Sequence, residues 1–205
     1  MRARHSWGPI LTLVLVGVTS PALAHEAVPG VQGFIGAVPH ILTEPAQALL
    51  VMALSLWLGQ RPAGALKTYG FMAFPALVIG AVSALFLQGL FSVTSLLALA
   101  FAVVLGLSAA ARLALPGPVV VLTTTAAALL AGRLAAPDPG PVSAVLASGT
   151  GALLGAAIMG ALIFALTRWC VSPGRPALFG IAVRVAGSWI AAASLMAGAL
   201  AFIRL

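Results

Sequence analysis

Only three carboxylates occur in this chain of 205 residues, Glu26, Glu44 and Asp138, and only one cysteine, Cys170. The lone cysteine excludes an internal disulfide and any CxxC metal site. Charged residues make up 6% of the chain and aromatic residues 7%, against 62% hydrophobic residues. A soluble domain of this length needs far more charged surface, so the fold class is a membrane one. The net charge of +7 does not indicate nucleic acid. The ten Lys and Arg residues are scattered singly between apolar runs rather than clustered on one face.

Chemical motifs are also missing. The chain has no HExxH, no nucleophile elbow, no phosphate-binding glycine loop and no Cys/His cluster. An intramembrane protease needs paired Asp, or Ser with His, at membrane depth. Here the only Asp lies in a loop, and no histidine beyond the N-terminal leader lies within an apolar run. An enzyme is therefore not expected.

What is present begins with a leader. Arg2 and Arg4 precede the apolar run GPILTLVLVGV, and SPALA ends in the small-x-small triplet Ala22-Leu23-Ala24. This pattern predicts a signal peptide over 1–24 and a single domain over 25–205, with a mature chain that starts at His25 and Glu26. The competing reading is an uncleaved anchor. The h-region is short for a membrane span, which favours cleavage.

Six apolar segments follow, near 45–59, 70–89, 91–111, 118–136, 144–167 and 178–203. Most approach the ~20 residues a helix needs to cross the hydrocarbon core. In lipid, every backbone amide must be bonded within the protein, so an all-α bundle of six spans is predicted. With the mature N-terminus outside, the inner loops hold Arg61, Lys67, Arg112, Arg168 and Arg175, and the outer segments hold Arg133 and Arg204. That bias supports an outside location for both termini. Trp57 and Trp169 fall near inner span ends, where aromatic anchors are common.

The first span is short. Pro45 to Gly59 is 15 residues, reaching roughly 22 Å as a helix. The preceding stretch GVQGFIGAVPHILTE contains Gly30, Gly33, Gly36 and Pro39 and cannot form one smooth helix. A short re-entrant or interfacial helix around 31–38, then a break, is expected. Such backbone is tolerated at membrane depth only beside protein or a wet cavity. In the fifth span, Gly151 and Gly155 form GxxxG, and Ala152, Ala156 and Gly160 continue a small-residue ridge. The ridge could make a homo-oligomer. Packing within the chain is the preferred reading, with Ala186-Gly187-Ser188 and Ala191-Ala192-Ala193 of the sixth span as a suitable partner.

Few side chains can act on a ligand. All three carboxylates, with His25 and His40, fall on the outer side. His40 and Glu44 are four residues apart and would point the same way in a helix, offering one nitrogen and one oxygen ligand. His25 and Glu26 could add an imidazole, a carboxylate and an amine, giving a low-affinity divalent-metal site at the outer mouth. The alternative is structural: Glu44 at the first turn before Pro45, favoured by the helix dipole, and His40 satisfying a backbone group at the break. Arg184 is the one charge inside a span, and it is expected to snorkel to the inner interface rather than hold a ligand. Thr123, Thr124 and Thr125 form a polar patch in the fourth span, expected to bond their own helix's carbonyls rather than line a substrate path.

The stretch HILTEPAQALLVMALSLWLG resembles the first membrane segment of the HupE/UreJ family, which has a His-rich motif of the form H-[PI]-x-x-G-x-D-H followed by Leu-Leu. The resemblance rests on His40-Ile41-Leu42-Thr43 and Leu49-Leu50, on the ALA-HE junction, and on RVAGSWIAAASLMAGAL near the C-terminus. It implies a multi-pass protein of the bacterial inner membrane that takes up nickel or cobalt as substrate, with lipid as its surroundings. Where the family has Gly, Asp and His, this chain has Glu44, Ala46 and Gln47. Two of the three ligands the resemblance implies are absent. Glu44 could replace one from a turn away, and Gln47 could offer a weak oxygen. A non-transporting scaffold or partner subunit of a larger membrane complex is the rival reading. Labelling positions 44 and 138 from the outer side tests the layout. A cytoplasmic position for either overturns it.

Overall fold

A computed structural model describes residues 33–62, 64, 66–87, 90–135 and 140–203. The expected signal peptide, His25, Glu26, Asp138 and Arg204 lie outside the described residues. Within them the chain is helical and no strand occurs. The elements are α1 (Gly33–Ala37), α2 (His40–Thr43), α3 (Pro45–Gly59), a π-helical turn (Leu66–Gly70), α4 (Phe71–Phe86), α5 (Phe91–Ala110), α6 (Gly117–Leu134), α7 (Val142–Cys170) and α8 (Ala177–Ile203). Five helices, counting Lys67–Phe86 as one, are long and apolar enough to cross a membrane. The pair Gly33–Thr43 and Pro45–Gly59, bent by 77°, makes a sixth if it counts as one broken span. The polytopic bundle predicted by the sequence is thus present, with the break where the glycines and prolines placed it.

Proline and glycine set the boundaries. Pro45 opens α3, Pro118 lies in the first turn of α6, and Pro141 and Pro176 stand just before α7 and α8. At these places the missing N–H would have no helical partner anyway. Gly174, at φ 83°, turns the chain between α7 and α8.

α3 is the hub. It touches α5, α6, α7 and α8, and Leu50, Ala53 and Trp57 on it are almost completely buried. α4 pairs with α6, α5 pairs with α8, and α7 carries α1 as well as α3. The outward faces of α7 and α8 are apolar, with Leu162, Leu166, Trp189, Leu195 and Phe202 exposed. Such faces suit lipid and not water.

Three helix crossings are closed by backbone against backbone. A Cβ on Gly80 would collide with the Leu129 carbonyl, and one on Gly132 with the Leu77 carbonyl. Gly106 and Gly187 face each other's carbonyls in the same way. Gly151 and Gly155 lie beneath the carbonyls of Phe34 and Val38. The GxxxG ridge is therefore used within the chain, as preferred, but not against the expected helix. Gly187 and Ala191 of α8 meet Gly106 of α5 instead, and the ridge of α7 receives α1. Gly160 faces Ser55 and Val51 of α3. The physical reason is thickness: a short segment on edge needs the closest approach, and only glycine allows its carbonyls to touch the helix surface.

One end of the bundle gathers Arg61, Lys67, Arg112, Arg168 and Arg175, and the other holds Glu44, His40 and Arg133. At the arginine end the cations bond carbonyls. Arg61 donates to Leu113 O and Leu115 O (3.1 and 3.2 Å), and Arg168 donates to Arg61 O at 2.7 Å. Gln60 reaches Ala109 O at 3.0 Å. Trp169 stacks beneath Arg175 at 4.1 Å and is 45% exposed, as an interfacial anchor should be. Trp57 is not one. It is 1% exposed and packed under Arg61, which lies 4.4 Å from its ring centre. The rotation of α3 turns this position inward, which its place near a span end does not reveal.

Gly132→Ala and Gly180→Ala separate close packing from helix propensity. The first forces a methyl into the Leu77 carbonyl, whereas nothing lies within 4 Å of the Gly180 position. Melting in detergent should show Gly132→Ala destabilised by roughly 1–3 kcal/mol and Gly180→Ala unchanged or slightly more stable.

Candidate functional site

The break between α2 and α3 is assembled from local rules. Pro39 caps α2, Glu44 adopts an extended conformation (φ −107°, ψ 92°), and Pro45 starts the next helix. A residue before proline is pushed out of the helical region, which is why the bend falls at Glu44. The Thr43 hydroxyl donates to His40 O at 2.7 Å, and the Glu44 N–H donates to the same oxygen at 3.2 Å. These bonds close the single turn of α2 without using the His40 imidazole. The segment is held in place from below, where Gly151 and Gly155 accept the α1 backbone.

His40 and Glu44 are both partly buried. Glu44 lies at the joint, ahead of the crossing helix. Burial raises its pKa above the ordinary carboxylate range, and the nearby His40 imidazole acts in the opposite direction. The structure thus brings these two candidate ligands within electrostatic reach of each other. The backbone N–H of Ala46, in the first turn of α3, also faces the carboxylate and, like His40, acts to lower its pKa.

Gln47 adds a third group one turn into α3. It is fully buried, and its Nε2 donates to Ala131 O of α6 at 2.9 Å. A carbonyl can only accept, so the amide orientation is fixed and Oε1 must point the other way. That oxygen has no partner among the described residues. A buried acceptor left empty costs about 1–3 kcal/mol, so this atom is the one place near the joint where a donor or cation would be welcomed. Three or more His, Cys, Asp or Glu side chains do not cluster anywhere among the described residues.

Next to the Gln47 bond, Ala131 also lines an apolar cavity of about 280 Å³ between α3, α4, α6 and α7. Its walls include Val51, Leu54, Phe74, Ala156 and Gly160, and Ser55 is the polar side chain among them.

The remaining expected residues lie elsewhere. Arg184 is at the opposite end, exposed, and its Nε donates to Ala110 O at 2.8 Å. It both reaches the helix ends and bonds a carbonyl, closing the C-terminus of α5, where a cation is favoured. Thr123 bonds Val119 O at 2.7 Å, as expected of a membrane threonine. Thr124 does not: its hydroxyl is fully buried on α6 without a partner among the described residues. Family models, curated proteins and solved structures give no match to this chain.

Arg133, which the sequence places only among the charges of the outer segments, has a structural role. It sits in the last turn of α6 and donates to Thr94 Oγ1 (3.2 Å), Ser83 Oγ (3.0 Å) and Leu87 O (3.1 Å). It ties the ends of α4, α5 and α6 together. Ser83 and Thr94, each near the same end of its own helix, were the available signal.

The raised pKa of Glu44 gives a stability test. A carboxyl whose folded pKa lies above its unfolded value contributes most at low pH and loses that contribution as pH rises through the folded value. Metal-free wild-type protein should therefore lose stability relative to Glu44→Gln as pH rises above the usual carboxylate range. Thermal melts of the two proteins from that range upward check it, and a wild type that gains on the variant with rising pH contradicts it.

Proposed function

We propose that this chain is a multi-pass membrane protein of the HupE/UreJ type that captures a divalent transition-metal cation, nickel or cobalt, at the joint between α2 and α3. The observation that carries the reading is the joint itself. A broken segment is held on a glycine cradle, an imidazole and a half-buried carboxyl lie within electrostatic reach of each other at its bend, and an empty buried amide oxygen lies one turn further into α3. Nitrogen and oxygen donors of this kind suit nickel and cobalt. Further ligands would come from His25 and Glu26, which belong to the chain immediately upstream.

The apolar cavity beside Gln47 limits the mechanism. Its walls give a bare cation almost nothing to bind, so an open aqueous pore is not the design this favours. Capture at the joint, followed by movement of the broken segment against α7, fits better. The upward shift of the Glu44 pKa suits such a cycle, because a protonated carboxyl releases the cation that its ionised form holds.

Elemental analysis of the purified protein should find nickel or cobalt, and cells lacking the gene should accumulate less of either. His40→Ala should lower metal affinity by about tenfold or more. Unchanged uptake in wild-type, deleted and His40→Ala cells would remove the metal claim and leave the rival reading, a non-transporting membrane scaffold. A stoichiometric partner in mild-detergent pull-down would support that rival.

A further inference from the structure

The opposite end of the bundle carries a second site, independent of the metal reading. A cavity of about 170 Å³ lies where α3 and α5 end, walled by Trp57, Gln60, Arg61, Arg112 and Leu113. Unlike the cavity beside Gln47, it has two arginines among its lining residues.

The two arginines are supplied differently. Arg61 is laid flat on Trp57 and pinned by carbonyls of the α5–α6 link, Leu113 and Leu115. Arg168 fixes its backbone from α7. Those two bonds leave three of the five guanidinium N–H groups free of partners among the described residues. Burial lowers the pKa of Arg61, yet arginine stays charged. This cation is thus partly stripped of water and met, among the described residues, by two carbonyl dipoles, the face of Trp57 and the nearby Tyr69.

Arg112 is placed at a cost. It is the residue just past the end of α5, and Leu113 N–H closes back on Ser108 O at 3.0 Å. That closure needs the left-handed backbone, and Arg112 has φ 54°, the only positive φ at a non-glycine among the described residues. Glycine is the residue this position favours. A charged residue holds it here, and its side chain makes no hydrogen bond among the described residues. Strain kept at a cavity wall is a mark of function.

No carboxylate occurs between Glu44 and Asp138 in the sequence, so the chain segments that form this cavity bring no counter-charge. The neighbouring helix ends add Lys67, Arg168, Arg175 and Arg184. In a bilayer the ends of spanning helices lie at the level of lipid phosphates, and basic pockets between such ends hold anionic head groups. Exposed Leu113 and the apolar flank of α5 offer a surface for the attached acyl chain.

We propose that Arg61 and Arg112 form a binding site for the phosphate of an anionic phospholipid at the arginine end of the bundle. Arg61 is the fixed half, oriented by Trp57 and the α5–α6 link. Arg112 is the free half, which closes over the phosphate. An occupied site ties the end of α3 to the end of α5 and stabilises the bundle by binding only the folded protein.

The backbone of Arg112 supplies an unusually clean test, because Arg112→Gly removes the charge while relieving the strain. The full-length protein is melted in nanodiscs of phosphatidylcholine alone, of phosphatidylcholine with phosphatidylglycerol, and of phosphatidylcholine with inorganic phosphate in the buffer. Phosphatidylglycerol should raise the melting temperature of the wild type and of Arg112→Lys. Arg112→Gly should melt at or above the wild type in phosphatidylcholine alone, yet lose most of the phosphatidylglycerol shift, with affinity for that lipid reduced roughly tenfold. Arg175→Gln, a loss of charge away from the cavity, should keep the shift. The proposal is overturned if the wild type shows no shift, if Arg112→Gly keeps it, or if Arg175→Gln loses as much as Arg112→Gly. It is likewise overturned if inorganic phosphate alone reproduces the shift, since the ligand is then a free anion and not a lipid.

Discussion

Contact between bare backbones at glycine is the constraint on which this bundle depends. Lipid tails are as apolar as leucine, so helices in a bilayer gain little by burying hydrophobic side chains against each other. What remains is close fit. Gly80 with Gly132, Gly106 with Gly187, and Gly151 and Gly155 with the α1 backbone each remove a side chain where two chains must touch. The first two join spans in pairs, α4 with α6 and α5 with α8. The third holds a fragment too short to be stable alone. A helix of 5 residues has no cooperative stability of its own, so the position of α1 is imposed by α7.

Polar side chains then divide by position. Those at the helix ends are spent on carbonyls: Arg61, Arg133, Arg168 and Arg184 each close the end of a neighbouring helix or link. Inside, Ser108 and Ser194 bond carbonyls of their own helices, while a few others are left incomplete. Gln47 Oε1, Thr124 Oγ1 and Trp57 Nε1 are buried without partners among the described residues, and all belong to α3 or α6. Ser95 Oγ on α5 is the other such atom.

The span boundaries were legible in the sequence because lipid imposes one rule on every residue between them. Pro45–Gly59 coincides with its apolar run, and Phe91–Ala110 with its own to within a residue. The bend was legible for the same reason, since Pro39, Pro45 and the glycines before them forbid a straight helix. Partner choice was not. Gly187 looked suitable for Gly155 yet meets Gly106, because small residues specify closeness and not identity. Trp57 likewise read as an anchor, since a span without a polar face gives no sign of which way it is turned. The candidate ligands His40 and Glu44 could be named from spacing. The empty oxygen of Gln47 could not, because it follows from a bond to Ala131, 84 positions away.

α3 has 15 residues and α7 has 29, so the two differ in length by roughly 21 Å at 1.5 Å per residue. If their arginine ends are level, as the Arg168 bond to Arg61 O requires, the Glu44 joint sits in a recess well below the far end of its neighbour. Water filling such a recess would carry the potential of that side of the membrane to the joint. The transmembrane voltage would then drop mainly over the fifteen residues of α3 rather than over the full thickness of the bilayer. A charge leaving the joint would feel a steeper field per ångström than one crossing undisturbed lipid, with a full crossing worth about 2.3 kcal/mol per 100 mV.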